Sequence, residues 1–170
     1  MLKKNIEKMI VDQVNFEIYS AYIYLAMAAY CDDNDYPGFA NWLKIQWEEE
    51  IFHAMKMYSY VVERGGKIVL NKIDAPPKSW KSLIAVFEHA LEHEQLVTGR
   101  INKIMTAAIK EDDHATRSFL NWFVDEQVEE EANVDGIIKR LKMLNGSGHG
   151  LFMFDKELST RTFVPPVKGA

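Results

Sequence analysis

Glu50 and His53 stand three residues apart in Trp47-Glu48-Glu49-Glu50-Ile51-Phe52-His53, inside a run whose apolar spacing is helical. Residues three apart on a helix share a face, so a carboxylate and an imidazole placed this way can reach one metal ion. Glu-x-x-His alone is weak, because charged residues usually mark a solvated helix face. Its place in the repeat gives it weight here. Phe39, Leu43, Gln46, Glu50, His53, Met57 and Tyr60 recur in alternating steps of four and three. That is the stripe a helix in a bundle turns inward. A carboxylate and an imidazole therefore occupy positions where apolar side chains are expected.

Three further stripes are interrupted in the same way. The first carries Ile10, Glu17, Ala21, Tyr24 and Ala28. Another carries Ile84, Phe87, Leu91, Glu94, Thr98, Ile101, Met105 and Ala108, and the last Phe123, Gln127, Glu130, Val134, Ile137, Leu141 and Leu144. Each interruption falls near mid-helix, so Glu17, Glu50, His53, Glu94, Gln127 and Glu130 meet at about one level whichever way each helix runs. Buried carboxylates without partners are costly or shift their pKa until neutral. No matching set of Lys or Arg lies on these stripes. Bound cations satisfy them economically. A donor set of oxygens with one His favours iron, manganese or zinc over a thiolate-seeking metal. Glu50 is then the natural carboxylate to be shared by a dinuclear site. The alternative is a buried polar network without metal, or a stripe phase that leaves these residues in solvent.

The elements that would position these residues are four long helices. The first spans roughly 5–31 and is broken by Asp32-Asp33-Asn34-Asp35, with Pro37 suited to the first turn of the second. The second spans roughly 37–64 and stops at Gly65-Gly66. The third starts near Trp80 behind Ser79 as its cap. After the polar break at Glu111-Asp112-Asp113 the fourth runs to Asn145-Gly146-Ser147-Gly148. The first and third breaks are short, so each joins antiparallel neighbours. The second connection, from Gly66 to Ser79, is long. A helix of this length measures about 40 Å at ~1.5 Å per residue. An extended linker of this length reaches about 46 Å at ~3.3 Å per residue. It can run the whole bundle and leave helices two and three parallel, with Ile68-Val69-Leu70 and Ile73 along the outside and Pro76-Pro77 keeping it extended. Leu151-Phe152-Met153-Phe154 and Asp155-Lys156-Glu157-Leu158 read as a short fifth helix, apolar enough to imply burial against another subunit. The expected fold is all-α, a four-helix bundle over about 5–145 with one long crossover. The short fifth helix and tail occupy 146–170 of a single domain spanning 1–170.

Composition narrows the function. A chain of 170 residues, 48% hydrophobic with nine Gly and five Pro, suits one ordered domain with a sizeable core. A net charge of −5 without a Lys/Arg cluster argues against nucleic acid. Cys31 is the only cysteine, which excludes an internal disulfide and a Cys-based metal site. There is no signal-peptide core and no run of eighteen apolar residues, so the expectation is a soluble, cytoplasmic protein with no membrane partner.

With these residues in view, the chain resembles the bacterial non-haem ferritins along its whole length. Ferritin-like di-iron bundles use one Glu from each of two helices and a Glu-x-x-His from each of two others, a template that belongs to the family. Glu17 and Glu94 match the single glutamates, and Glu50-Ile51-Phe52-His53 matches one Glu-x-x-His. The second is replaced by Gln127-Val128-Glu129-Glu130. That departure separates ferritins from bacterioferritins and rubrerythrins. It implies an asymmetric site whose second iron is held more loosely, by Glu50, Glu94 and Glu130. By the same resemblance Glu49, Glu126 and Glu129 match residues that, with Glu130, hold a third iron; an acidic solvated face is the plainer reading. Tyr24 resembles the tyrosine beside the di-iron centre, an electron donor, or is a core Tyr bonded to a carboxylate. Trp122 matches a ferritin aromatic and reads as packing. His89, His93, His114 and His149 lie off the stripes and read as surface residues. Glu111, Asp112 and Asp113 read as a solvated turn, the alternative being an iron access channel. Where bacterioferritins carry the haem-ligating Met, this chain has Ile51, so no haem is expected.

The resemblance implies iron storage with ferroxidase activity. Fe2+ would bind as a pair, be oxidised by O2 or H2O2, and pass to a mineral core inside a homo-oligomeric cage of twenty-four subunits. Two other classes remain open: a di-iron peroxidase or oxygenase acting on a separate substrate, and a metal-free helical interaction module.

Overall fold

The computed structural model describes residues 2–165; the end of the tail expected over 146–170 lies outside them. Five helices follow one another: α1 (Lys4–Asp33), α2 (Pro37–Glu63), α3 (Leu83–Lys110), α4 (His114–Leu144) and α5 (Gly148–Leu158). No strand is present among the described residues.

Hydrogen bonds at the helix ends fix the directions. Leu2 N–H donates to the Arg64 carbonyl at 3.3 Å, tying the start of α1 to the end of α2. Lys3 pairs with Glu111 at 2.8 Å, so α1 also runs against α3. The end of α2 meets the turn between α3 and α4 through Arg64 and Asp113 at 3.2 Å. Helices α2 and α3 are therefore parallel, and the connection between them travels the length of the bundle as expected. It is held midway by Asn15 of α1, which donates to the Val69 carbonyl at 3.0 Å and accepts from Asn71 N–H at 2.7 Å. Ile68 packs against the core, while Val69, Leu70 and Ile73 stay exposed.

The cap of α3 differs from the sequence expectation. Helix α3 begins at Leu83, and Ser82, not Ser79, accepts from Ala85 N–H at 3.3 Å. Trp80 is turned aside instead: its indole donates to His89 Nδ1 at 3.1 Å and meets the Tyr30 ring edge-on. Asp113 caps α4 by accepting from Thr116 N–H at 3.0 Å and is also paired with Arg64, so this part of the turn is buried rather than solvated.

Helix α5 starts at Gly148 behind Ser147 and buries Phe154 and Leu158 in its own bundle. Phe154 meets the Phe39 ring at 5.2 Å, and Asp155 accepts from Gly38 and Phe39 N–H at 2.8 and 3.0 Å, capping the start of α2. Gly38 is required there, since a Cβ would lie 1.7 Å from the Asp155 carbonyl oxygen. The expectation that α5 is covered by another subunit is thus corrected for this face; Phe152 and Met153 remain exposed.

The core falls into two apolar clusters. One gathers Tyr24, Met27, Phe39, Leu43, Phe87 and Val134; the other Ile6, Ile10, Met57, Ile101, Leu120 and Phe123. Large apolar side chains buried to this degree each contribute roughly 1.5–3 kcal/mol. Between the two clusters lies a layer that is polar.

Candidate metal centre

The layer is built by one or two residues from each long helix. Glu17 comes from α1, Glu50 and His53 from α2, Glu94 from α3, and Gln127 and Glu130 from α4, and all six are buried. All six stripe interruptions therefore face inward at one level. The alternative phase, with these groups in solvent, is excluded.

Hydrogen bonds satisfy part of the layer. Gln127 Nε2 donates to Glu94 Oε2 at 3.1 Å and the Tyr24 hydroxyl donates to Glu94 Oε1. Gln13 Nε2 donates to Glu17 Oε1 at 2.9 Å, and Gln46 Nε2 to Glu130 Oε2 at 2.7 Å. Two buried side-chain oxygens have no partner among the described residues: Glu17 Oε2 and Glu50 Oε2. Orphaned buried acceptors of this kind are costly, by about 1–3 kcal/mol each and more when charged. The Glu17 and Glu50 carboxyls lie against each other, close enough to share a proton, and Glu50 Oε2 lies 3.8 Å from His53 Nδ1.

The electrostatics follow from the crowding. Burial pushes Glu17 up to about 7, against the hydrogen bond from Gln13, and Glu94 adds to the rise. Burial, then the charges of Glu94, Glu17 and Glu130, hold Glu50 well above the usual carboxylate range. Glu130 is likewise held well above it by burial and by Glu94 and Glu49, and Glu94 is raised by burial. Burial, with Lys56 adding to it, lowers His53 to about 4, so its imidazole is neutral at neutral pH. A neutral imidazole offers a lone pair, and a cation entering the layer must displace the protons that burial holds on the carboxyls, so its binding is coupled to proton release. The donor set fits a hard or borderline divalent cation.

A second group adjoins the first. Single ligand atoms of His53, Glu126 and Glu130 lie within 4.8 Å of one another, a spacing that can hold an ion. Glu126 is half-buried and pushed up by burial and by Glu129 and Glu49. Glu129 is exposed, whereas Glu49 is half-buried and paired with Arg161 at 2.8 Å. Of the carboxylates beside the layer, Glu126 approaches His53 most directly. Trp122 packs edge-on against His53 at 5.5 Å, and Lys56 lies over the Trp122 ring at 4.0 Å from its centroid.

Several residues of the centre were not singled out from sequence. Gln13 and Ser20 are buried on α1, and Gln46 acts on Glu130 instead of merely filling its stripe. His93 is buried, not a surface residue: it bonds Ser20 Oγ at 2.7 Å and stacks on Phe16 at 5.2 Å. His89 is half-buried against Trp80, while His114 and His149 are exposed. Arg100 reaches Gln13 Oε1 at 2.7 Å, and Arg161 reaches Gln46 Oε1 at 2.6 Å. Gln13, three residues after Ile10 and four before Glu17, lies on the first stripe itself, and that spacing is its sequence signal. Nothing local marks Arg161.

A family profile described as a ferritin-like domain matches residues 7–144. The bacterial non-heme ferritin of Staphylococcus aureus (strain MRSA252) is 43% identical over 96% of this chain and 98% of that protein. The protein of the same name from Staphylococcus saprophyticus is 44% identical over the same shares. Among solved structures, a closed form of the Archaeoglobus fulgidus ferritin made by site-directed mutagenesis superposes with a TM-score of 0.95 at 45% identity. It covers 96% of this chain and 100% of that one. The bundle with its crossover, the buried carboxylate layer and these full-length matches place the chain in one family: it belongs to the ferritins.

Proposed function

We propose that the chain, acting as one domain, stores iron and oxidises Fe2+ to Fe3+ at the carboxylate layer before the ferric product moves to a mineral core. Fe2+ is the substrate. Glu17, Glu50, His53 and Glu94 are its main ligands, with Glu50 shared between two ions and Glu130 and Gln127 completing the looser side. The observation that carries the reading is the pair of orphaned oxygens, Glu17 Oε2 and Glu50 Oε2, in a buried layer with four carboxyls and a neutral imidazole.

Each residue has a chemical part. The carboxylates stabilise Fe3+ more than Fe2+ and so favour electron loss. The neutral His53 binds through a nitrogen lone pair. Each pair of Fe2+ gives up two electrons, which with two protons reduce O2 to H2O2 or H2O2 to water. Tyr24, whose hydroxyl donates to Glu94, is proposed as an electron donor that stands in for one Fe2+ of a pair, its proton passing to Glu94; burial and Glu94 hold that hydroxyl well above its usual pKa. Glu49, Glu126, Glu129 and Glu130 are proposed as the site of a third iron. Membership of the ferritins supports a homo-oligomeric cage, for which we propose twenty-four subunits in the cytoplasm. None of the described helices is long and apolar enough to cross a membrane.

Stopped-flow mixing of the iron-free protein with two Fe2+ per chain and O2 tests the reading. Rapid growth of ferric absorbance in the parent, lost in Glu50→Ala, is expected. An unchanged rate in that variant would sink the assignment.

A further inference from the structure

Arg161 lies beyond the end of α5, yet its guanidinium reaches α2 beside the carboxylate layer. Its Nη2 donates to both oxygens of Glu49, at 3.0 and 2.8 Å. Its Nη1 donates to Gln46 Oε1 at 2.6 Å and to the Trp42 carbonyl at 3.3 Å, and the guanidinium lies 4.7 Å from the Trp42 ring centroid. The Arg161 carbonyl in turn accepts from Asn41 at 3.0 Å, which pins the segment to α2. One guanidinium thus serves Glu49 through Nη2 and Gln46 through Nη1 at once, which the single ammonium of Lys cannot do with the same geometry.

Gln46 carries the influence inward. It is fully buried, with its oxygen held by Arg161 and its Nε2 turned to Glu130 Oε2 at 2.7 Å. Flipping the amide would set its NH2 against the guanidinium and its oxygen against the carboxylate, two repulsive contacts at once. Arg161 thereby fixes which way Gln46 faces, and Gln46 fixes Glu130. One cation outside the layer governs two carboxylates at its edge.

We propose that Arg161 is an internal counter-cation of the metal centre: it occupies Glu49 directly and, through Gln46, keeps a hydrogen bond on Glu130, so that both carboxylates are engaged when no cation is bound. A third cation at the Glu49, Glu126, Glu129 and Glu130 group must displace or share that guanidinium. Occupancy of the third position is in this way tied to the seating of α5 and the segment after it. The inference rests on the reading of the layer as an iron centre.

The test is calorimetric titration of the assembled, iron-free protein with Zn2+, a redox-inert probe. The parent is expected to bind two Zn2+ per chain tightly and a third weakly. Arg161→Gln should strengthen the third event by roughly two- to fivefold, the range of a partly exposed ion pair. Arg161→Lys should fall between the two, and adding Glu49→Gln to Arg161→Gln should return the third event to weak binding. A third affinity equal in parent and Arg161→Gln, or a gain that survives the double substitution, overturns the inference while leaving the iron reading intact. Failure of the parent to take up even two Zn2+ overturns the iron reading, and this inference with it.

Discussion

Glu50 is pressed by burial and by three neighbouring carboxylates in one direction, toward holding its proton. Replacing it removes a liability of the metal-free bundle and a ligand of the loaded one. Glu50→Ala and His53→Ala are therefore expected to abolish rapid Fe2+ oxidation while circular dichroism shows the helices intact. Stability should depend on pH with a definite sign. Glu17 rises from 4.5 to about 7, so its contribution is full below pH 4.5 and is lost as pH climbs through about 7. That shift corresponds to roughly 3 kcal/mol. Glu50, Glu94 and Glu130 act in the same sense. His53 and His93, lowered from 6.5 to about 4, act oppositely, since their contribution is present above 6.5 and lost as pH falls through about 4. Melting of metal-free parent and Glu17→Gln at pH 5 and pH 8 separates the two: the variant should gain on the parent only at the higher pH. Equal shifts at both would refute the assignment. The stripe residues were legible because burial on a helix repeats every three or four positions. Arg161 and His93 were not. The guanidinium meets Glu49 across more than a hundred residues of chain, and His93 is buried because Phe16 and Ser20 cover it from another helix.

Helices were legible to within a few residues, and their directions followed from connection lengths alone. The errors lie at ends, where tertiary partners decide. Ser79 and Ser82 are equal as caps by local chemistry, but Trp80 packs on Tyr30 and His89 and keeps the chain extended past Lys81. Ser82→Ala should cost about 1 kcal/mol in denaturant unfolding, and Ser79→Ala close to nothing. A reversed order would place the cap at Ser79. The apolar run Leu151-Phe152-Met153-Phe154, outside the four long helices, implies burial against another subunit. Phe154 and Leu158 nonetheless find the groove beside α2, where Gly38 permits backbone contact. Gly38→Ala should unseat α5, seen as faster hydrogen exchange of its amides with the long helices still protected. Unchanged exchange would mean the contact yields without cost.

At the scale of the molecule, two apolar clusters supply the stability and the layer between them supplies the chemistry. The cost of burying carboxyls is tolerated because the clusters above and below carry the fold, and a cation entering the layer offsets it. Cations that bind only the folded chain raise its melting temperature by mass action. Much of the whole was readable from sequence because the pattern is periodic and the resemblance spans the chain. The surface that would close the proposed shell is not periodic, and exposed Phe152, Met153 and Tyr22 mark faces a single chain leaves uncovered. The most direct measurement is an aerobic Fe2+ titration followed by size-exclusion chromatography with iron and protein detected together. Many ferric ions per chain, co-eluting with a particle of several hundred kilodaltons, is the predicted result. Only about two irons per chain on a small oligomer, or no retained iron, would contradict storage.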